Sequence, residues 1–229
     1  MFDTFDTVDL THLLTPEIPT WNGSCGYCLE VKMDYDQMFR VQKMQIHAGL
    51  GTHIDAPSHR IEGGASVAEI PLEELFVPAS VIDVSKKAHG DYELSVEEIE
   101  EYEKKYGTIR EGNLVMIHTG WSRFWTHSDK YRNVDKKGQM HFPAVSGDAA
   151  KVFLKRGVVG LAIDTISPDC LNPRFPVHEI LLGAGKYIIE NVANGSKMPP
   201  TGGYVIGCPL FAKGATESPM RLIGLIPKK

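Results

Sequence analysis

The 229-residue chain predicts an α/β fold, a single domain over residues 1–229 with a mixed β-sheet flanked by helices. Three observations carry this expectation. The first part is β-rich, with short alternating or continuous apolar runs. The second half alternates apolar strands with capped helical segments, the order that βαβ units produce. No repeat, low-complexity tract or long linker divides the chain, so one core is the simplest account.

The elements follow in order. "TVDLTHLL" (7–14) and "RVQKMQIHA" (40–48) read as opening strands, and "VPASVIDV" (77–84) as a buried strand. "SVEEIEEYEKKYG" (95–107) is a helix. Ser95 and Glu98 form a capping box that satisfies free N–H groups of the first turn, and Gly107 closes the end. "NLVMIHTGW" (113–121) is a strand, followed by a polar, charged stretch to about residue 140. "SGDAAKVFLKRG" (146–157) is a helix with a Ser cap and a closing Gly. "VVGLAIDT" (158–165) is apolar throughout, as a strand buried on both faces should be. "PVHEILLGAG" (176–185) is a short helix opened by a proline, which suits a first helical turn. "KYIIENV" (186–192), "GYVIGCPL" (203–210) and "MRLIGLIP" (220–227) complete the sheet.

Composition narrows the function. The formal net charge is −5 and no Lys/Arg cluster is present. Such a chain does not attract phosphate backbones, so no nucleic-acid partner is expected and a small-molecule substrate is. No apolar run approaches the ~18 residues of a membrane span. The N-terminus lacks the basic start and apolar core of a signal peptide, so a soluble, cytoplasmic protein off the membrane is expected. "CGYC" (25–28) has redox-motif spacing but lies in a Gly/Asn/Ser-rich loop, without the strand and helix such a site needs. No second Cys pair supports zinc there, and reduced loop thiols are the expectation.

The chemistry concentrates in "HAGLGTHIDAPSHR" (47–60), which holds His47, His53, Asp55 and His59. If 53–55 is extended, His53 and Asp55 project from the same face. An imidazole and a carboxylate converging on one point suit Zn²⁺, Mn²⁺ or Fe²⁺. Pro57 interrupts regular pairing, so His59 can swing back toward the same pocket. Local spacing alone leaves a metal-free polar loop, with Asp55 orienting a histidine, equally open. Glu190 follows "YII", where an acid in a buried strand needs a partner.

"GTHIDAPSH" resembles the signature of the cyclase family of metal-dependent hydrolases, H-x-G-T-H-x-D-x-P-x-H. That family includes kynurenine formamidases, isatin hydrolases and manganese-dependent dienelactone hydrolases. "DLTHLLTPEIPTW", "VMIHTGWSRFW", "FPAVSGDAAKVFLKRGVVGLAIDTISPD" and "HEILLGAGKYIIENVAN" resemble further family segments, so the likeness covers nearly the whole chain. The resemblance implies the swivelling β/β/α fold, a homodimer, and a divalent metal ion (zinc or manganese), one or two per subunit. It implies metal ligation by His53, Asp55, His178 and Glu190, with Asp55 able to bridge two ions. It makes His59 the general acid/base and Trp21 a substrate-stacking aromatic, with Trp121 or Trp125 as further stacking candidates or core residues. The implied activity is hydrolysis of a formyl-amide or cyclic amide on a planar or aromatic substrate. A lactone hydrolase and a non-catalytic relative that binds a metal or small molecule are the alternatives. Asp164 ends its strand where α/β folds often put site residues, and it could equally anchor the next loop. His12, His89, His118, His127 and His141 are expected to be structural or superficial.

The chain departs from the family pattern at one position. Gly49 stands where the first histidine belongs, which removes a side-chain ligand. His47, drawn in by a bulge at Gly49, or a single ion held by the remaining four residues, would answer the loss.

Overall fold

The computed structural model describes residues 3–170 and 172–228. Its strands are β1 (Phe5–Asp9), β2 (Tyr27–Met33), β3 (Val41–Ile46), β4 (His53–Asp55), β5 (Phe76–Asp83), β6 (Glu93–Leu94), β7 (Leu114–His118), β8 (Ala144–Val145), β9 (Gly160–Ile163), β10 (Tyr187–Glu190), β11 (Gly203–Pro209) and β12 (Glu217–Pro227). Its helices are α1 (Val96–Tyr106), α2 (Ser128–Arg132), α3 (Gly147–Lys155) and α4 (Pro176–Gly183).

The main sheet runs β1-β12-β11-β5-β7-β9-β10-β4, and β4 pairs in turn with the start of β12. The pairing therefore closes into a ring, which β1 extends along the far half of β12. The consecutive strands β5, β7, β9 and β10 are parallel, joined through α1, α3 and α4; the remaining pairings are antiparallel. This is the mixed α/β sheet expected. The helices, however, cover only its outer face, because the inner face closes on itself.

Side-chain alternation builds the two layers. On β7, Leu114 and Met116 join Ile54, Ala162, Ile189 and Leu222 inside the ring. Val115 and Ile117 point the other way, against Ile99 of α1, Phe153 of α3 and Leu181 of α4. Burial on both faces explains why these strands read as unbroken apolar runs. A third core gathers Trp121, Trp125, Tyr131 and Phe142 with Ile18 and Leu50 under the loops.

Local signals hold at the helix ends. Ser95 and Glu98 form the capping box of α1, and Ser146 accepts from the Ala149 N–H at the start of α3. Elsewhere the elements differ from expectation. The opening strand stops at Asp9, α4 stops at Gly183, and α2 interrupts the charged stretch. β2, with no sequence signal strong enough to mark it, pairs with β3 as a separate ribbon.

Candidate metal centre and catalytic site

The short strand β4 puts His53 and Asp55 on one face and turns Ile54 between them into the ring core. The register then sets a carboxylate beside each. Glu190 of β10 lies opposite His53, and Glu217 of β12 lies opposite Asp55. α4 brings His178 to the same point. His53 Nε2 is 3.4 Å from both Asp55 Oδ1 and Glu190 Oε2. His178 Nε2 is 3.7 Å from Asp55 Oδ2 and 3.5 Å from Glu190 Oε1. Each carboxylate thus offers one oxygen to each imidazole, and all four side chains are buried.

Both imidazoles are held from behind. His53 Nδ1 donates to the Gly51 carbonyl at 2.8 Å, and His178 Nδ1 to Asp169 Oδ2 at 2.7 Å. Each bond leaves an Nε2 lone pair aimed at the carboxylates, the orientation that a metal-ligating histidine needs. Asp169 also accepts the Val177 and His178 backbone N–H groups, so it caps α4 while orienting its histidine. Behind Gly51, the Asn191 amide donates to the same carbonyl and the Tyr131 hydroxyl reaches Asn191 Oδ1 at 2.8 Å.

These residues fit a divalent cation. Two donors on one tetrahedral ion with bonds of about 2.0–2.1 Å stand roughly 3.3 Å apart, close to the spacings here. Asp55 Oδ1 is buried and has no hydrogen-bond partner, an orphan that a cation would satisfy. The electrostatics agree. Burial pushes His53 down, but Asp55 and Glu190 outweigh it and lift its pKa to about 10. Burial also opposes the charged His178, and its hydrogen bond to Asp169 together with the nearby Asp55 and Glu190 carboxylates nevertheless raises it well above the ordinary value. Asp55, which burial alone would raise, is lowered by His53 and His178, whereas burial and the Asp55 charge raise Glu190. The pocket requires positive charge, which protons or a metal ion can supply.

His59 ends a 3-10 turn, Pro57–His59, at the rim of this cluster. Its Nδ1 lies 3.2 Å from Glu217 Oε2. The bond to Glu217 raises its pKa against the opposing effect of burial. Trp21 is 48% exposed at the mouth, its ring 5.9 Å from Phe175. Phe175 stands edge-on to His178. Together with the His and carboxylate cluster these aromatics line a cavity of about 380 Å³, within the usual size of a small-molecule site.

The structure decides among readings that the sequence left open. β3 ends at Ile46 and the chain turns, so no bulged strand carries His47 inward; its ring is exposed beside Gly26. Trp121 and Trp125 are buried in the third core, the first donating to the Tyr131 carbonyl and the second stacked on His12. Neither lines the cavity. Asp164 accepts from the Thr119 amide and hydroxyl, and so anchors the turn after β7. Sequence reasoning missed Asp169, Phe175 and Glu217. Glu217 carried a usable signal, an acid at the entrance to an apolar strand, the mirror of Glu190 at the end of one.

A closed mixed sheet with a buried imidazole–carboxylate pocket puts the chain among α/β proteins suited to a divalent cation. The family model described as "Putative cyclase" matches residues 8–170. The chain belongs to this cyclase family. It is 31% identical to isatin hydrolase of Roseibium aggregatum over 189 residues, covering 78% of this chain and 72% of that one. It is 29% identical to kynurenine formamidase of Bacillus cytotoxicus over 222 residues, 94% of this chain and 95% of that one. Among solved structures, isatin hydrolase A from Labrenzia aggregata bound to benzyl benzoate superposes with a TM-score of 0.89 at 31% identity, covering 98% of this chain and 94% of that one. An isatin hydrolase bound to the product analogue thioisatinate gives 0.90 at 27% identity, covering 99% and 94%.

Proposed function

We propose that the chain is a metal-dependent hydrolase that opens a cyclic amide or a formyl-amide carried on a planar aromatic ring. The observation that carries this reading is the juxtaposition of His59 with the buried His53/Asp55/His178/Glu190 cluster, beneath the Trp21–Phe175 aromatic wall. The isatin hydrolase and kynurenine formamidase relatives support an amide, and the aromatic wall favours a flat ring. The four cluster residues would hold zinc or manganese, as one or two ions. A divalent cation bound there supplies Lewis acidity, which acidifies water and draws electron density from a carbonyl.

The protein's own groups handle the rest. Glu217 accepts the His59 Nδ1 proton, so Nε2 carries the free lone pair and takes a proton from the attacking water. The water oxygen forms the new C–O bond, the C–N bond breaks, and His59 returns the proton to the leaving nitrogen. The amide becomes one carboxylic acid and one amine, on two molecules from a formyl-amide and on a single molecule from an opened ring. Trp21 and Phe175 hold the ring over the cluster and keep bulk water from that face.

The test is a substrate panel of isatin, N-formylkynurenine and an unsaturated lactone, run with Mn²⁺- and Zn²⁺-loaded protein. Amide turnover that disappears on chelation and returns with the ion is expected. His59→Ala should lower kcat by about 10²–10⁴-fold with metal content unchanged. A protein that binds no divalent ion and turns over no amide overturns the reading; exclusive turnover of the lactone would move it to ester chemistry.

The active form is a homodimer in this reading. The β2–β3 ribbon sets Leu29 and Val31 on one face, with Met44 across from Leu29, all exposed, which supports a second copy covering them. In this reading the protein works in the cytoplasm, where a reducing environment keeps thiols unpaired.

A further inference from the structure

We propose that Glu217 supplies the metal ligand that Gly49 cannot, as a carboxylate delivered from β12 into the space of the absent side chain. The inference rests on the metal-dependent reading above and names a donor outside the His53/Asp55/His178/Glu190 set. A Cβ at position 49 would collide with Glu217 Oε1 and would lie 3.5 Å from His53 Nε2. The carboxylate therefore occupies the volume that a residue at 49 would use, beside the same imidazole.

Register holds it there. Glu217 pairs directly with Asp55 across the β4–β12 seam, on the face where Asp55 and His53 project. Donor atoms of His53, Asp55 and Glu217 all lie within 4.8 Å of one another. The nearly inaccessible Asp55 Oδ1, aimed into this group, has no other partner. The two Glu217 oxygens divide their work, Oε1 facing Gly49 and His53 while Oε2 stands 3.2 Å from His59 Nδ1. One side chain thus links the metal group to the proton-carrying imidazole.

The exchange alters the donor set. The His53 centre becomes one imidazole with the carboxylates of Asp55, Glu190 and Glu217, an oxygen-rich site that is harder than one holding a second imidazole. Harder sites suit Mn²⁺ better than softer ones do.

Metal binding tests this without reference to turnover. Mn²⁺ and Zn²⁺ affinities are measured by titration calorimetry, with the visible spectrum of the Co²⁺ form as a report on donor type. Glu217→Ala should weaken Mn²⁺ binding by about 10–100-fold and change the Co²⁺ spectrum. Glu217→Gln, which keeps the volume, should weaken it less. Gly49→His combined with Glu217→Gly should recover binding, shift preference from Mn²⁺ toward Zn²⁺ and move the Co²⁺ bands toward nitrogen ligation. Wild-type affinity and an unchanged spectrum in both Glu217→Ala and Glu217→Gln overturn the inference and leave the hydrolase reading standing. If Glu217→Ala does not fold, Glu217→Gln and the double variant decide the matter on the same readouts. A wild-type protein that takes up no divalent ion overturns both.

Discussion

His12 shows how a single residue couples pH to stability in this protein. Its ring stacks on Trp125 with centroids 4.1 Å apart, and its Nε2 is buried without a partner. Burial lowers its pKa to about 4, only partly offset by Asp164 and Asp9. A folded pKa below the unfolded value of about 6.5 means that the neutral form stabilises the fold. That contribution is complete above pH 6.5 and is lost as pH falls toward 4. His12→Phe keeps the stack and removes the titration. Its Tm should therefore fall less than wild type between pH 7.5 and pH 4.5, by on the order of a few degrees, as read by differential scanning calorimetry. Equal losses in the two proteins would dismiss this role. At the same scale, the proposed metal ligands were the most legible part of the site. His53 and Asp55 are two residues apart on a strand, so their convergence is local. Glu217 had an acid-before-strand signal but no visible partner, because its neighbour Asp55 is distant in sequence and only β4–β12 pairing unites them.

At the scale of elements, α4 and the segment before it work as one part. Asp169 takes the first free N–H groups of the helix and the Nδ1 hydrogen of its histidine. Asp169→Asn has only one carbonyl oxygen to accept with, so His178 should lose its fixed orientation. The expected result is metal affinity about 10–100-fold weaker with a Tm near wild type, measured by calorimetry and thermal melting. Metal affinity equal to wild type would show that packing alone orients His178. The elements that were legible share a property: their signals are short-range. The Ser95–Glu98 box and the unbroken apolar runs of β7 and β9 each announce themselves within one element. Of the β2–β3 ribbon only β3 was read as a strand; β2 gave no comparable signal, because its residues are exposed and a period-2 pattern there has no core to serve.

On the scale of the whole molecule, closure of the sheet was not readable at all. It depends on β4 pairing with both β10 and β12, at strands far apart in the chain. Apolar patterning and strand–helix alternation carried the fold class, and pairing geometry supplied the closure. The ribbon's apolar face is the largest question about assembly. Leu29 pairs with Met44 across it, and both remain exposed. Leu29→Glu with Met44→Lys adds one charge of each sign to that face. Sedimentation should show a dimer for the wild type and a monomer for the double variant, with ion content unchanged. A wild-type monomer at assay concentration would remove the dimer from the proposal.

Ile54 gives the ring closure a second meaning. Pairing period fixes which side chains of β4 look inward, so a slip of one residue would aim His53 and Asp55 into hydrocarbon and expose Ile54 to water. Such a chain would bury two polar groups away from their partners and lose an apolar anchor at the same moment. The hydrophobic core therefore proof-reads the phase of the chemistry: a molecule that closes its ring correctly has already aligned His53 with Glu190 and Asp55 with Glu217.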